Sequence, residues 1–306
     1  MQGKADIHVH TKYSGVHKMG PLRFPESVSD PVDVIKKAKA SGMNVVFITD
    51  HNSIAGAKKA REAAKTIEGI EVVMGEEVSS ADGEILALFI EEEIPEGLSA
   101  EETIARIRSQ GGLVIAPHPF SLHCPCLGER IEDLGVDGIE VLNGGHIDDY
   151  ANPRAERAAE SSKFARMGGS DSHYLKTIGS AYTMFEGTTA EDFRREVLAK
   201  RTSAGGKVIP LDKAIAWSIE VVLASDILIL RSFIGLDKAP TDDPILWRVQ
   251  NMKMGQKLGA LVGSLVFFLP PVPFIVGLAG QRLLDHKADD ERETKGKGRG
   301  RLGPLY

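Results

Sequence analysis

The chain has 306 residues, 42% hydrophobic and 26% charged, which is the composition of a folded globular protein with length for one large domain or two unequal ones. A net charge of −6 argues against a protein that works mainly by binding nucleic acid, though not against a locally basic pocket. The two cysteines, Cys124 and Cys126, are separated only by Pro125, so a disulfide framework is excluded and a reducing, cytoplasmic setting is expected.

The opening Met1-Gln2-Gly3-Lys4 runs straight into an apolar stretch with no signal-peptide pattern, which adds to the cytoplasmic expectation. Residues 5–10 read as a first strand. Ser29-Asp30-Pro31 supplies a cap and a first-turn proline for a helix that Gly42 stops. A strand over 44–51 is followed by a helix over 53–68, ended by Gly69. A third strand spans 70–80, with 84–90 placed to pair with it as a hairpin. Ser99 and Glu102 form a capping box for a helix stopped at Gly111-Gly112. Strands at 113–120 and 137–143, a helix over 151–164 and a strand over 165–173 follow. A strand over 180–185 and a helix over 189–201 close a unit of residues 1–206. Repeated strand–helix units predict a mainly parallel sheet.

The character changes beyond that point. Residues 212–235 are apolar with scattered charges such as Glu220 and Asp226, and 238–244 is a polar break. Residues 258–281 carry no charge. As a straight helix they would reach ~36 Å, against a bilayer core of ~30 Å. Pro270, Pro271 and Pro273 would split such a span into two arms. The expectation for 207–306 is an apolar extension that attaches the barrel to the cytoplasmic face of a membrane, helped by the basic tail from Lys295 to Arg301.

The strand ends carry the chemistry: His8-Val9-His10, Asp50-His51, Glu76-Glu77, Pro117-His118-Pro119 and Asp171-Ser172-His173. One buried histidine is usually just hydrogen-bonded. A recurring set of nitrogen and carboxylate ligands at successive strand ends fits a hydrolytic metal centre instead. In a strand, positions i and i+2 share a face, so His8 and His10 can hold one ion, and Asp171 and His173 repeat the spacing. Glu76 and Glu77 alternate faces, so only one can reach a metal. Asp50 would point away or accept a hydrogen bond from a neighbour of the ligands. A barrel brings all these ends to one point, whereas an open doubly wound sheet would not. His17, His123 and His146 read as loop residues. Cys124-Pro125-Cys126 is too tight for a Cys-x₂-Cys chelate and is expected to shape the pocket.

The stretches DIHVHTKYSG, FITDHNSIAG, GEEVSS, GEILAL, APHPF, DGIEVLN and GGSDSHYLKTIG, in this order over residues 5–187, resemble the polymerase-and-histidinol-phosphatase (PHP) family of metal-dependent phosphoesterases. The resemblance implies a distorted (β/α)7 barrel with two or three divalent ions at its mouth, manganese or zinc first, iron or magnesium as alternatives. It implies one ion held by His8, His10, Glu77 and Asp171, with Glu77 bridging to a second ion at His118, and a third at His51 and His173. Glu77 is preferred to Glu76 because the family ligand directly precedes the Val-Ser pair. Two positions depart from the pattern. Gly15 stands where an aspartate is usual, with His17 as a candidate replacement. Glu84 stands where histidine is common, which favours harder ions.

Such a centre lowers the pKa of a bound water to about 7, and the resulting hydroxide would attack phosphorus in line. His51 or His173 would protonate the leaving alkoxide. The expected substrate is a small phosphomonoester, a nucleotide or a 5′-phosphorylated oligonucleotide. The family's arginine after HPF is Ser121 here, so phosphate recognition is expected from Arg130, Arg154 or Lys176. The competing reading, motivated by Gly15 and Glu84, is a catalytically weak module acting as a membrane-recruited regulatory or interaction domain. Amidohydrolase chemistry on a similar barrel is disfavoured by the ligand pattern.

Overall fold

Two four-residue runs, VVFI at 45–48 and LVIA at 113–116, have no exposed side chain and form strands covered on both faces. A computed structural model describes residues 1–19, 22–161 and 163–299, with the side chains of all of these except 17–19, 22, 161 and 295–299. In chain order come β1 (Gln2–Asp6), β2 (Val16–Met19), β3 (Leu22–Pro25), α1 (Pro31–Ala40), β4 (Val45–Ile48), α2 (Ala55–Ala64), β5 (Glu71–Ser80) and β6 (Gly83–Leu88). There follow α3 (Ala100–Ser109), β7 (Leu113–Ala116), β8 (Gly138–Asn143), α4 (Ala151–Ala158), β9 (Ala165–Gly169), β10 (Ala181–Glu186), α5 (Ala190–Leu198) and β11 (Ser203–Gly206). Four helices end the described chain: α6 (Leu211–Phe233), α7 (Pro244–Asn251), α8 (Met254–Phe267) and α9 (Val272–Arg299).

The main sheet has the order β11-β10-β1-β4-β5-β6-β7-β8-β9. Strands β1, β4, β5, β7, β8 and β9 run parallel, while β6 and β10 run against them. The reversal at β6 is forced, because Ala81-Asp82 is far too short for a parallel crossover. The two ends of the sheet meet. Val9 and Ser172 form a parallel bridge, and the Thr183 hydroxyl accepts from Gly168 N–H at 3.0 Å and donates to Gly168 C=O at 2.9 Å. A Cβ at Gly168 would sit 2.6 Å from the Tyr182 carbonyl oxygen, so only glycine allows this closure. The result is the expected distorted barrel, with two antiparallel strands interrupting the strand–helix repeat.

One buried cluster includes Ala5, Ile7, Phe47, Leu86, Leu88 and Met167, joined by Phe193 of α5, whose ring lies 5.0 Å from Phe47 and 5.4 Å from Phe185. A larger cluster joins the sheet to Ile35 of α1, Ala57 of α2, Ile107 of α3 and Ala155 of α4. Asp30 caps α1 by accepting from Val32 N–H, and the Ser99–Glu102 capping box starts α3. A second capping box, Thr189–Asp192, starts α5. Each such cap contributes about 1 kcal/mol.

The structure departs from the sequence reading in several places: the strand expected over 5–10 is Gln2–Asp6, that over 113–120 ends at Ala116, and the helix over 151–164 ends at Ala158. Helix 53–68 is shorter, at Ala55–Ala64. The strand expected over 165–173 ends at Gly169, because Asp171 has φ +50° and leaves the extended region. The β2–β3 hairpin was not foreseen, since its short runs carry no clear alternation. The C-terminal region also differs from a detached extension. Trp217 of α6 donates its indole N–H to the Glu26 carbonyl oxygen at 2.8 Å, Ile209 N–H donates to Gly144 C=O at 2.9 Å, and Lys12 pairs with Asp243 at 2.8 Å. No single helix among the described residues is long and apolar enough to cross a membrane; α8 and α9 form a pair bent by 83°. Leu223, Ile227, Leu230, Val262, Leu265 and Ile275 are 48–70% exposed and give these helices a large apolar surface. The tail residues 300–306 and the side chains from Lys295 onward lie outside the described set.

Candidate metal centre

The C-terminal ends of the parallel strands put their polar side chains into one mouth. His8 and His10 follow β1, and both are fully buried. His8 Nε2 lies 3.0 Å from Glu77 Oε2 and 3.5 Å from Asp171 Oδ1; His10 Nε2 lies 3.3 and 3.4 Å from the same two oxygens. His118 Nε2 approaches the other Glu77 oxygen, Oε1, at 3.1 Å. His51 Nδ1 is 3.3 Å from Glu77 Oε2, and His173 stacks on His10 with ring centroids 4.0 Å apart. Glu77 thus touches four imidazoles through its two oxygens. Glu76 faces the other way and accepts from Ile94 N–H at 2.9 Å.

Residues outside the cluster fix the ligands. Glu140 is fully buried on β8. It accepts from His8 Nδ1–H at 3.1 Å, from His118 N–H at 3.0 Å and from Asn143 Nδ2–H at 2.9 Å. A proton held on His8 Nδ1 by Glu140 leaves Nε2, which faces Glu77 and Asp171, as the nitrogen that a metal ion would take in place of a proton. The Ser14 hydroxyl lies 2.7 Å from His10 Nδ1, and Asn143 also reaches Asp171 Oδ2 at 3.1 Å. Asp50 ties the ends of β1 and β4 together, accepting from the Thr11 backbone N–H at 2.5 Å and its hydroxyl at 2.7 Å. His118 and Asp171 both hold positive φ, +25° and +50°, a costly backbone state concentrated at functional sites.

Burial opposes protonation of His8, His10 and His118, but the neighbouring carboxylates overcome it and push the last two up to about 9, positive charge that a bound cation would replace. Burial opposes ionisation of Glu77, but His8 and His51 hold its carboxyl well below the usual range. Burial likewise opposes ionisation of Asp171, and His8 and His10 overcome it. Burial and the neighbouring Glu77 charge push Glu84 up to about 8. Glu26, at the end of the β2–β3 hairpin, is pushed up to about 7 mainly by burial. Burial lowers His51 to about 4, which keeps its ring neutral and ready to ligate.

A metal fits these residues. His10 Nε2 and Glu26 Oε2 are buried without a hydrogen-bond partner among the described residues. Three triplets present ligand atoms within 4.8 Å of one another: His8–His10–Asp171, His8–Glu77–His118 and His10–His51–His173. Mixed imidazole and carboxylate donors suit zinc, manganese or iron. Glu84 lies 3.7 Å from both His51 and His118, beside the second triplet. Glu26 lies 3.6 Å from His51 Nε2, beside the third, on the side where Gly15 offers nothing. The side chain of His17 lies outside the described residues.

The cavity above the cluster has a volume of about 690 Å³. Arg130, Arg154 and Lys176 do not line it. Arg130 pairs with Asp82 and Glu101, Arg154 with Glu129 across the Phe120 ring, and Lys176 sits over Tyr174. Each of these charges is engaged by a neighbouring side chain. Lys213, from the first turn of α6, is the one lysine or arginine among the described lining residues. Glu26, Glu140, Lys213 and Trp217 escaped the sequence reading. For Glu140 a signal existed: a lone carboxylate in the apolar run GIEVLN must be buried and therefore paired.

Residues 6–115 match the PHP domain, and residues 149–202 match the PHP-associated region. An uncharacterized protein of Methanocaldococcus jannaschii is 52% identical over 149 residues, which is 49% of this chain and 86% of that protein. The chain belongs to the PHP family. A further relative, a 5′-3′ exoribonuclease of Haemophilus influenzae, is 26% identical over 155 residues, 48% of each protein. Among solved structures, PsfC from Pseudomonas syringae shares the fold with a TM-score of 0.51 at 19% identity, covering 67% of this chain and 92% of that one. The PHP barrel and its clustered histidines and carboxylates make this chain a metal-dependent hydrolase in general class.

Proposed function

We propose that this PHP protein is a phosphoesterase acting on a small phosphomonoester, a nucleotide or the 5′ end of a short oligonucleotide. The observation that carries the reading is Glu77, whose two oxygens face His8, His10 and His51 on one side and His118 on the other. Such a carboxylate is placed to bridge two ions. His8, His10 and Asp171 would complete one site, His118 and Glu84 the second, and His51 and His173, with Glu26, a third. Bound divalent ions supply an activated water and neutralise phosphate charge. Manganese or zinc is the proposed occupant, and the carboxylate of Glu84 favours manganese at its site.

The chain's own groups do the rest. His51 and His173 are the partly open imidazoles of the cluster, 22% and 21% exposed, and burial keeps both rings neutral, which suits them to ligate the third ion rather than to hand a proton to a leaving alkoxide. Lys213 supplies a cation on the cavity wall for the substrate phosphate, in the role expected of Arg130, Arg154 or Lys176. Trp217, with its ring 5.9 Å from His173, offers an apolar edge for the leaving group. Turnover of phosphomonoesters, nucleotides and 5′-phosphorylated oligonucleotides by the Mn²⁺, Zn²⁺ and Mg²⁺ forms tests the reading. Lys213→Met should raise KM about 10-fold or more, the cost of one charge-assisted contact, with unchanged metal content. No turnover on the whole panel by metal-loaded protein would favour the interaction-module reading.

The apolar surface of α6, α8 and α9 supports a second element of that proposal, docking on the cytoplasmic face of a membrane. The bend between α8 and α9 suits a hairpin lying in the interface better than a span.

A further inference from the structure

Beside the proposed catalytic ligands lies a second group of ligating side chains, on the loops after β7 and β8, that the reaction does not use. His146 is 1% exposed, and neither of its ring nitrogens has a hydrogen-bond partner among the described residues. A neutral imidazole carries one donor and one acceptor, and leaving each unpaired in the interior costs about 1–3 kcal/mol. Two residues on, Asp148 is held rigidly. Its Oδ1 accepts from Tyr150 N–H at 3.0 Å and Ala151 N–H at 2.8 Å, where α4 begins. Its other oxygen, Oδ2, is buried without a partner and lies 3.7 Å from His146 Nδ1. That distance is too long for a hydrogen bond. It is close to the edge of a tetrahedron, about 3.4 Å, when nitrogen and oxygen ligands sit about 2.1 Å from an ion. The exposed His123 brings its ring to 4.5 Å from His146, and His123, His146 and Asp148 present ligand atoms within 4.8 Å of one another. Cys124 meets the same limit with His146 and His118.

We propose that His123, His146 and Asp148 hold a further divalent cation, zinc by its two-imidazole, one-carboxylate donor set, separate from the ions at the Glu77 cluster. The ion would pin the segment containing His123 and Cys124, both of which line the cavity, to the end of β8. Its role is to hold one wall of the substrate mouth.

The test counts ions on the full chain and needs no substrate. The protein is loaded with zinc, freed of excess by gel filtration, and its bound zinc per chain measured by plasma mass spectrometry. His123→Ala and Asp148→Asn should each hold one ion fewer than the wild type, and His10→Ala combined with His123→Ala should lose at least one ion from each site. His123 is exposed, so its variant should fold even if Asp148→Asn disturbs the start of α4, and circular dichroism checks this. An unchanged zinc count in folded His123→Ala would overturn the proposal. Absence of phosphoester turnover would leave the count untouched, so the two readings fail separately.

Discussion

Glu140 offers the sharpest test of how the centre is built. Its carboxylate accepts three hydrogen bonds, from His8 Nδ1–H at 3.1 Å, His118 N–H at 3.0 Å and Asn143 Nδ2–H at 2.9 Å, and it is fully buried. Glu140→Gln keeps the shape and exchanges one oxygen for an NH₂ group. The amide oxygen is best used on the side that faces two donors, which turns the NH₂ group toward His8 Nδ1. His8 must then accept there and carry its proton on Nε2, the nitrogen facing Glu77 and Asp171. A protonated Nε2 cannot ligate. Losing a carboxylate that orients a metal-bound histidine costs about 10–100-fold in metal affinity, or about 1.4–2.7 kcal/mol. Glu140→Ala leaves all three donors unpaired, at about 1–3 kcal/mol each, so it should destabilise the metal-free fold by about 3 kcal/mol or more. Competition for Mn²⁺ and Zn²⁺ with a chromophoric chelator reads the first effect, and thermal unfolding of the metal-free protein reads the second. Wild-type metal affinity in a folded Glu140→Gln variant would refute the tautomer argument.

Other consequences follow from the same packing. Gly56→Ala would normally favour a helix by about 1 kcal/mol. Here the new Cβ would lie 2.0 Å from Asp50 Oδ2 and 2.4 Å from Thr11 Oγ1, so the variant should instead lose about 1–3 kcal/mol by denaturant unfolding. Burial pushes Glu76 up to about 8 from 4.5. Between those pH values the unfolded chain releases a proton that the folded chain keeps, so stability falls as pH rises through that window. Glu76→Gln should flatten the fall, and melting curves of the two proteins from pH 5 to 9 that run parallel would contradict it. Full-length protein should co-sediment with anionic vesicles and stay bound in high salt through its exposed apolar helices, and paired charge substitutions at Leu265 and Ile275 should release it. Vesicle binding that vanishes in salt, or survives those substitutions, would rule out an apolar contact.

Much of the barrel was legible from local patterns. The buried runs at 45–48 and 113–116, the Asp30 cap and the Ser99–Glu102 box specify their own elements, because they satisfy backbone groups and bury side chains within a few residues. The shared face of His8 and His10 follows from i, i+2 alternation, while alternation left Glu76 and Glu77 open and the resemblance chose Glu77; the side chains point accordingly. What the sequence by itself could not decide was convergence. Glu26 reaches His51 only because the β2–β3 hairpin folds over the mouth, and Trp217 holds that hairpin from 191 positions away by a hydrogen bond to the Glu26 carbonyl. Lys213 enters the cavity because α6 returns to the barrel through Ile209 and Gly144, where apolar composition alone suggested a separate anchor. Arg130 and Arg154 were plausible phosphate ligands by position, yet nearby acids on other loops engage them. Spacing along a strand fixes which residues share a face. Which faces meet is set by barrel closure at Gly168 and Thr183, a contact between residues whose sequence carries no mark of it.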